Sequence, residues 1–195
     1  MMRFLVPFLS VVACAVLAAG CGDDDAPPST RPPERADAPA SVPPGWTRVS
    51  NARSGFTLAL PPGWTARGAR GSTLIRSADG ALGAAVSSDR SADGERQPLP
   101  AYVRATLTGL PGYRGLRTRD PVSVKGARYL TVRATGTGTF ARTGVRQAIT
   151  LYAIRRPGQV TYTLLFFRSA QAPGGVYAPA ITTLVGSFRA MPAEF

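Results

Sequence analysis

Few side chains in this sequence are equipped for chemistry, and their types narrow it at once. Histidine is absent, and the two cysteines, Cys14 and Cys21, both lie within the first 21 residues. This removes Ser-His-Asp and Cys-His nucleophile pairs, histidine general bases and His-ligated zinc. A Ser-Lys dyad would have to use Lys125, the one lysine. Its neighbours Val124 and Gly126 point to a strand end and a turn, where a lysine stays solvated. Asp89, Asp93 and Glu95 could chelate calcium or act as paired carboxylates. Their spacing is not that of an EF-hand loop, and Arg90 and Arg96 share the segment, so they read as a solvated loop. Gly136, Gly138 and Ala141 spell a G-x-G-x-x-A dinucleotide loop. That motif needs a strand before it and a helix after it. Here Arg142-Thr143-Gly144 leads toward another strand. Trp46 and Trp64 could stack on a sugar ring, but each stands beside a Pro-Gly turn and reads as a residue sealing a core. No catalytic residue, no metal and no cofactor are expected, and no enzyme.

Arginine supplies what chemistry remains. The formal net charge is +12, while five of the acids, Asp23, Asp24, Asp25, Glu34 and Asp37, fall early. The rest of the chain is therefore more basic than the whole. Such a balance attracts anionic lipid head groups or wall polymers. Arg114, Arg117, Arg119 and Arg128 are the candidates for an anionic ligand. The competing explanation is compositional, since a GC-rich genome also favours Arg, Ala, Gly and Pro. The arginines are scattered rather than bunched into a run, and nucleic acid is not an expected partner.

The N-terminal segment carries an address. Arg3 precedes an apolar run over residues 4–19 that ends in small residues, which is the pattern of a signal peptide. The run is short for a membrane span, which needs about 20 apolar residues. Its end, Leu17-Ala18-Ala19-Gly20-Cys21, resembles the lipobox of bacterial lipoprotein precursors. The resemblance implies cleavage before Cys21 and a diacylglyceryl group on its sulfur. One departure is Ala18, where the family usually has leucine. Val11-Val12-Ala13-Cys14 has a similar shape and is the rival site, although Cys21 is followed directly by the polar Gly22-Asp23-Asp24-Asp25. Lipidation at Cys21 would hold the protein to the cell membrane on its extracytoplasmic face, since acyl chains contribute about 0.8 kcal/mol per buried methylene.

Three parts follow: a signal peptide over 1–20, a lipidated cysteine with a stalk over 21–42, and one domain over 43–195. The stalk is rich in Asp, Pro, Ser and Ala and lacks residues for a core. Proline stiffens such a segment toward about 3.1 Å per residue, a reach of up to ~60 Å. The domain opens with an echo, Pro43-Pro44-Gly45-Trp46-Thr47 returning as Pro61-Pro62-Gly63-Trp64-Thr65. Each Pro-Gly predicts a type II turn. Strands are expected at 46–49, 56–60, 72–76 and 82–87, then a polar loop over 89–97. A helix starts near Pro98 with Leu99, Tyr102, Val103, Thr106, Leu107 and Leu110 on one stripe. A meander follows, with strands at 122–124, 127–140, 146–154 and 160–167. The last strand is apolar or β-favouring on both faces and is expected to be central. A final helix carries Tyr177, Ile181, Leu184, Val185 and Phe188.

Gly55-Phe56-Thr57-Leu58-Ala59-Leu60-Pro61-Pro62-Gly63-Trp64 resembles the opening of the PsbP-like and DcrB-like domains, including the LpqN-type lipoproteins, and Gly186-Ser187-Phe188 resembles their closing Ser-Phe pair. The resemblance implies an α+β fold, an antiparallel sheet flanked by helices on both faces. Some members use histidine in metal sites, and with none here no site is carried over. The expected function is a membrane-anchored envelope lipoprotein with a non-catalytic binding or scaffolding domain for an envelope protein. The alternative is an arginine-rich domain that binds an anionic lipid head group or wall polymer.

Overall fold

The computed structural model describes residues 42–69, 71–156 and 160–191. Cys14, Cys21, the signal segment and the stalk as far as residue 41 lie outside the described residues. The fold is α+β and its strand pairs are antiparallel.

The two Pro-Gly echoes fold as the dipeptide dictates. The Trp46 amide donates to Pro43 O at 3.0 Å and the Trp64 amide to Pro61 O at 3.2 Å. Gly45 and Gly63 sit at φ 77° and 74°, the conformation the third residue of a type II turn requires. Each turn delivers a half-buried tryptophan to the main core. Between them β1 (Thr47–Asn51) and β2 (Phe56–Leu60) form a hairpin, with Val49 opposite Leu58.

The remaining strands make one large sheet. Its members are β3 (Thr65–Ala69), β4 (Ser72–Arg76), β5 (Leu82–Asp89), β6 (Tyr113–Thr118), β7 (Val122–Ser123), β8 (Leu130–Phe140), β9 (Arg146–Arg155) and β10 (Thr161–Ser169). The spatial order is β3-β4-β5-β10-β9-β8-β6, with β7 also on β8, so β10 stands in the middle as its two-sided sequence requires. Tyr162, Leu164 and Phe166 point to one face and Leu165 to the other. Phe167 lies over Gly83, where a Cβ would stand 2.3 Å from the ring.

Helix α2 (Leu99–Thr108) covers one face. Its Leu99, Tyr102, Val103 and Leu107 pack with Val132 and Ala134 of β8 and Ile149, Leu151 and Ala153 of β9. The opposite face differs from the expectation of a helix alone. A second, three-stranded sheet, β1-β2-β11, shares the main core with it, β11 being Arg189–Ala190. Helix α3 (Ala178–Ser187) docks on β2: Ser187 Oγ accepts the Ala59 amide at 2.8 Å, and the Phe188 ring stacks on Phe56 at 5.9 Å.

Other expectations also change. The polar loop over 89–97 contains a short helix, α1 (Ala92–Arg96), and β5 runs on to Asp89. Asp89 ends its strand by accepting the Ser91 amide and hydroxyl and the Tyr102 hydroxyl. The long strand of the meander begins at Leu130, not 127. The final helix starts at Ala178, after one 3-10 turn over Gly174–Val176.

Candidate functional site

The most unusual surface is built by β8. Its sequence alternates, and the two alternating sets meet different surroundings. Val132 and Ala134 are 1% and 2% exposed beneath α2. Thr131, Arg133, Thr135, Thr137 and Thr139 point the other way, because successive strand residues face opposite sides. On that side the three-stranded sheet and α3 share a core with β4, β5, β10 and the end of β9 around Tyr152 and Ile154. Arg133 is exposed and Thr135, Thr137 and Thr139 are half-buried.

Residues opposite one another in an antiparallel pair share a face, so the register assembles rungs across the sheet. Arg133 lies opposite Tyr152, Thr135 opposite Thr150, Thr137 opposite Ala148 and Thr139 opposite Arg146. Arg168 of β10 extends the Ala148 rung. On the other side β6 contributes Arg117 opposite Thr137 and Arg114 opposite Thr139. Three residues apart on a regular strand, Arg114 and Arg117 would face opposite ways. A register shift between them adds one residue to β6, with Gly115 at φ 58°, and returns both arginines to one face. Leu116 and Tyr113 go to the α2 side, where they press on Gly138, a Cβ at which would meet Leu116 Cδ1 at 3.1 Å.

Two hollows lie along this face. The larger, about 600 Å³, is bounded by the 124–129 loop, β8, β9 and the end of α3. Its floor is apolar, with Tyr152, Ile154, Val185 and Phe188, and Lys125, Arg128, Arg133 and Arg189 line it. Arg189 donates from NH1 to the carbonyls of Gly186 and Phe188, while its buried Nε–H has no acceptor among the described residues. The smaller hollow, about 300 Å³, is a shelf lined by Arg117, Arg119, Arg168, Thr135, Thr137 and Thr150. Arg119 is fixed there by its amide, which donates to Thr135 O at 2.8 Å. Arg168 is held by donating to the carbonyls of Ser169 and Ala172. Among the described residues no carboxylate lines either hollow. Asp120, next to Arg119, pairs at 3.2 Å with Arg104 of α2.

The four arginines singled out from sequence are thus sorted. Arg117 and Arg119 share the shelf, Arg114 lies one rung beyond it, and Arg128 lines the cleft at the other end. Arg133, Arg146, Arg168 and Arg189 were missed. The alternation of Thr and Arg along Leu130–Phe140 was the signal for Arg133. Lys125 is exposed, as expected of a turn residue, and also lines the cleft.

The remaining candidates are structural. Burial pushes the Asp89 carboxyl up, but hydrogen bonds from Ser91 and Tyr102 and the nearby Arg155 charge outweigh it and hold it below the usual range. Arg155 in turn donates to the Thr161 hydroxyl and the carbonyls of Gln97 and Gly94, pinning the segment that carries α1. Gly136 and Gly138 lie inside a strand that turns into β9, so no helix follows them and no nucleotide loop forms. Among the described residues no three acidic or thiol groups gather to hold a metal, and no helix is long and apolar enough to cross a membrane.

No family model matches the chain, and no curated protein matches it. Solved structures do. One from Bacteroides thetaiotaomicron superposes with a TM-score of 0.53 at 13% identity, covering 75% of this chain and 48% of that one. This chain therefore spans about half the length of that neighbour. The Ran-binding protein Mog1p of Saccharomyces cerevisiae gives a TM-score of 0.53 at 10% identity, over 74% of this chain and 95% of that one. LpqN of Mycobacterium tuberculosis, involved in cell envelope biogenesis, gives 0.48 at 15% identity, over 75% and 91%. At such identities a likeness speaks for fold alone, and the first two establish that this domain has a Mog1-like α+β fold.

Proposed function

We propose that this protein is a lipid-anchored envelope protein whose domain binds an oxyanion-bearing envelope ligand in the cleft lined by Lys125, Arg128, Arg133 and Arg189. The observation that carries the binding role is this ring of basic side chains around an apolar floor, with no carboxylate lining it among the described residues. Guanidinium groups match phosphate and carboxylate oxygens in two-pronged hydrogen bonds. The role is binding rather than catalysis. The sequence holds no histidine, and among the described residues the cleft offers donors and positive charge but no carboxylate to take a proton. In this reading the anchor is Cys21, the stalk over 21–42 carries the domain away from the extracytoplasmic face of the membrane, and the domain is a PsbP-like variant of the fold. A protein partner is the second reading. It is favoured by Leu130 and Val122, 57% and 48% exposed on the β7–β8 hairpin.

Two experiments test these parts separately. Cys21→Ser should abolish incorporation of a fatty-acid probe and release the protein from membranes, and label that persists would refute the anchor. Titration with glycerophosphoglycerol, a single phosphodiester, should shift the amide resonances of residues 125–133 and 185–189. Shifts confined to other parts of the domain, or unchanged in a Lys125→Ala/Arg133→Ala variant, would refute the cleft.

A further inference from the structure

The cleft is one end of something longer. Arg133 belongs to the cleft, and Thr135, the next residue of β8 on that face, belongs to the shelf. Along this strand the outward positions recur every ~6.6 Å, and residues 131 to 139 span about 26 Å. Cations recur with them. Arg128 and Arg189 stand at the cleft, then Arg133, then Arg117 with Arg168, then Arg114 with Arg146. Threonine hydroxyls fill the positions between. The bulge at Gly115 is what keeps Arg114 in this line, since a regular β6 would turn it to the α2 side.

We propose that this face is a track for one extended, linear polyanion, a flexible polymer with an oxyanion in every repeat, seated with one end in the cleft. The inference rests on the reading of the cleft as an anion site and goes beyond it. A single head group with one or two charges cannot engage guanidinium groups on rungs from Arg133 to Thr139, about 20 Å apart along β8. A chain whose charges recur at a spacing near that of the rungs engages them in series, each added contact being intramolecular. The polymer is one without bases. Single-stranded nucleic acid is held by aromatic platforms on which successive bases stack, whereas the rings here are confined to the cleft and the shelf residues, Thr, Arg, Ala, Ile and Gly, carry none.

The test is binding affinity against polymer length. Glycerol-phosphate oligomers of increasing repeat number are titrated calorimetrically into the full-length protein at fixed salt. Affinity should climb at least about tenfold between one repeat and about four, then level off. The Arg114→Ala/Arg117→Ala variant should lose that gain and still bind the single repeat as the wild type does. Both side chains are exposed on β6, and an unchanged melting temperature would show that the variant is folded. Oligogalacturonate of matched length supports the track if it shows the same length dependence, since its carboxylates present the same oxyanion chemistry. Affinity independent of length, or a double variant that binds long oligomers like the wild type, overturns the track while leaving the cleft in place. Failure of even the single repeat to bind overturns the cleft itself. Single-stranded DNA binding more tightly than the glycerol-phosphate oligomer of equal charge overturns the choice of a polymer without bases.

Discussion

The two faces of β8 are made by alternate residues of one strand and have opposite fates. On one, Val132 and Ala134 disappear beneath α2 beside Leu151 and Leu107. On the other, Arg133, Thr135 and Thr137 stay accessible and are joined by arginines from β6 and β10. Covering the second face with a helix would have buried several guanidinium charges, which costs several kcal/mol for each one left without a counter-charge. The difference teaches that the open face is not a remnant left over from packing. Leaving it uncovered is the low-energy outcome for this sequence, and it also leaves the donors available to a ligand.

Removing bulk from the covered regions should have the largest effect on stability. Phe166 is 1% exposed and packs edge-on against Tyr152 at 6.0 Å. Phe166→Ala should cost about 3–5 kcal/mol, read as a fall in the midpoint of chemical denaturation. Unchanged stability would mean that β10 is not a core strand. Leu107→Ala, beneath α2, should cost about 2–5 kcal/mol. Next comes the bulge. Gly115 holds a positive φ with no atom near its missing Cβ, so Gly115→Ala should cost about 1–2 kcal/mol from backbone strain alone, measured by thermal melting. On the open face, Thr137→Ala and Arg133→Ala should each shift stability by no more than about 0.5 kcal/mol, as for surface positions. A large loss there would show that the face is covered after all.

The smallest effect is a pH dependence remote from both faces. Asp79 accepts hydrogen bonds from the Ser77 hydroxyl, the Tyr177 hydroxyl and the Ala81 amide. Led by Ser77, these lower its pKa from 3.8 to about 2. A depressed carboxyl pKa stabilises the fold above the unfolded value, and that contribution fades as pH falls from 3.8 toward about 2. Asp79→Asn should therefore flatten the acid limb of a stability profile in that window. An acid limb identical to the wild type would mean that the turn makes no difference to acid stability.

What could be read from sequence depended on whether a signal was local. The β10 pattern, the stripe of α2 and the two Pro-Gly turns needed only neighbouring residues and stand as expected, while the final stripe holds in the core with Tyr177 and Phe188 flanking α3 rather than within it. Strand β3, Thr-Ala-Arg-Gly-Ala, has no large apolar side chain because it is an exposed edge. Strand β6 lost its period of two to the inserted residue, and β11 is two residues long. The same non-locality hid the site. Arg114, Arg117, Arg119 and Arg128 were visible as basic residues. That Arg117 would meet Arg168 across Thr137 and Ala148 follows from the pairing of four strands, which no short pattern encodes.

The three-stranded sheet has a consequence for when the molecule can exist as a folded body. Its middle strand, β2, is completed by β11, and the Ala59 amide finds its acceptor on Ser187, 128 positions later in the chain. Synthesis delivers a polypeptide gradually, N-terminus first. Until residue 187 emerges, Phe56, Leu58 and Leu60 lack α3 and Phe188, and the core they share remains unfinished. Long-range closure of this kind makes folding slow and late. A chain built this way stays pliable through most of the synthesis of this domain and sets only when α3 arrives.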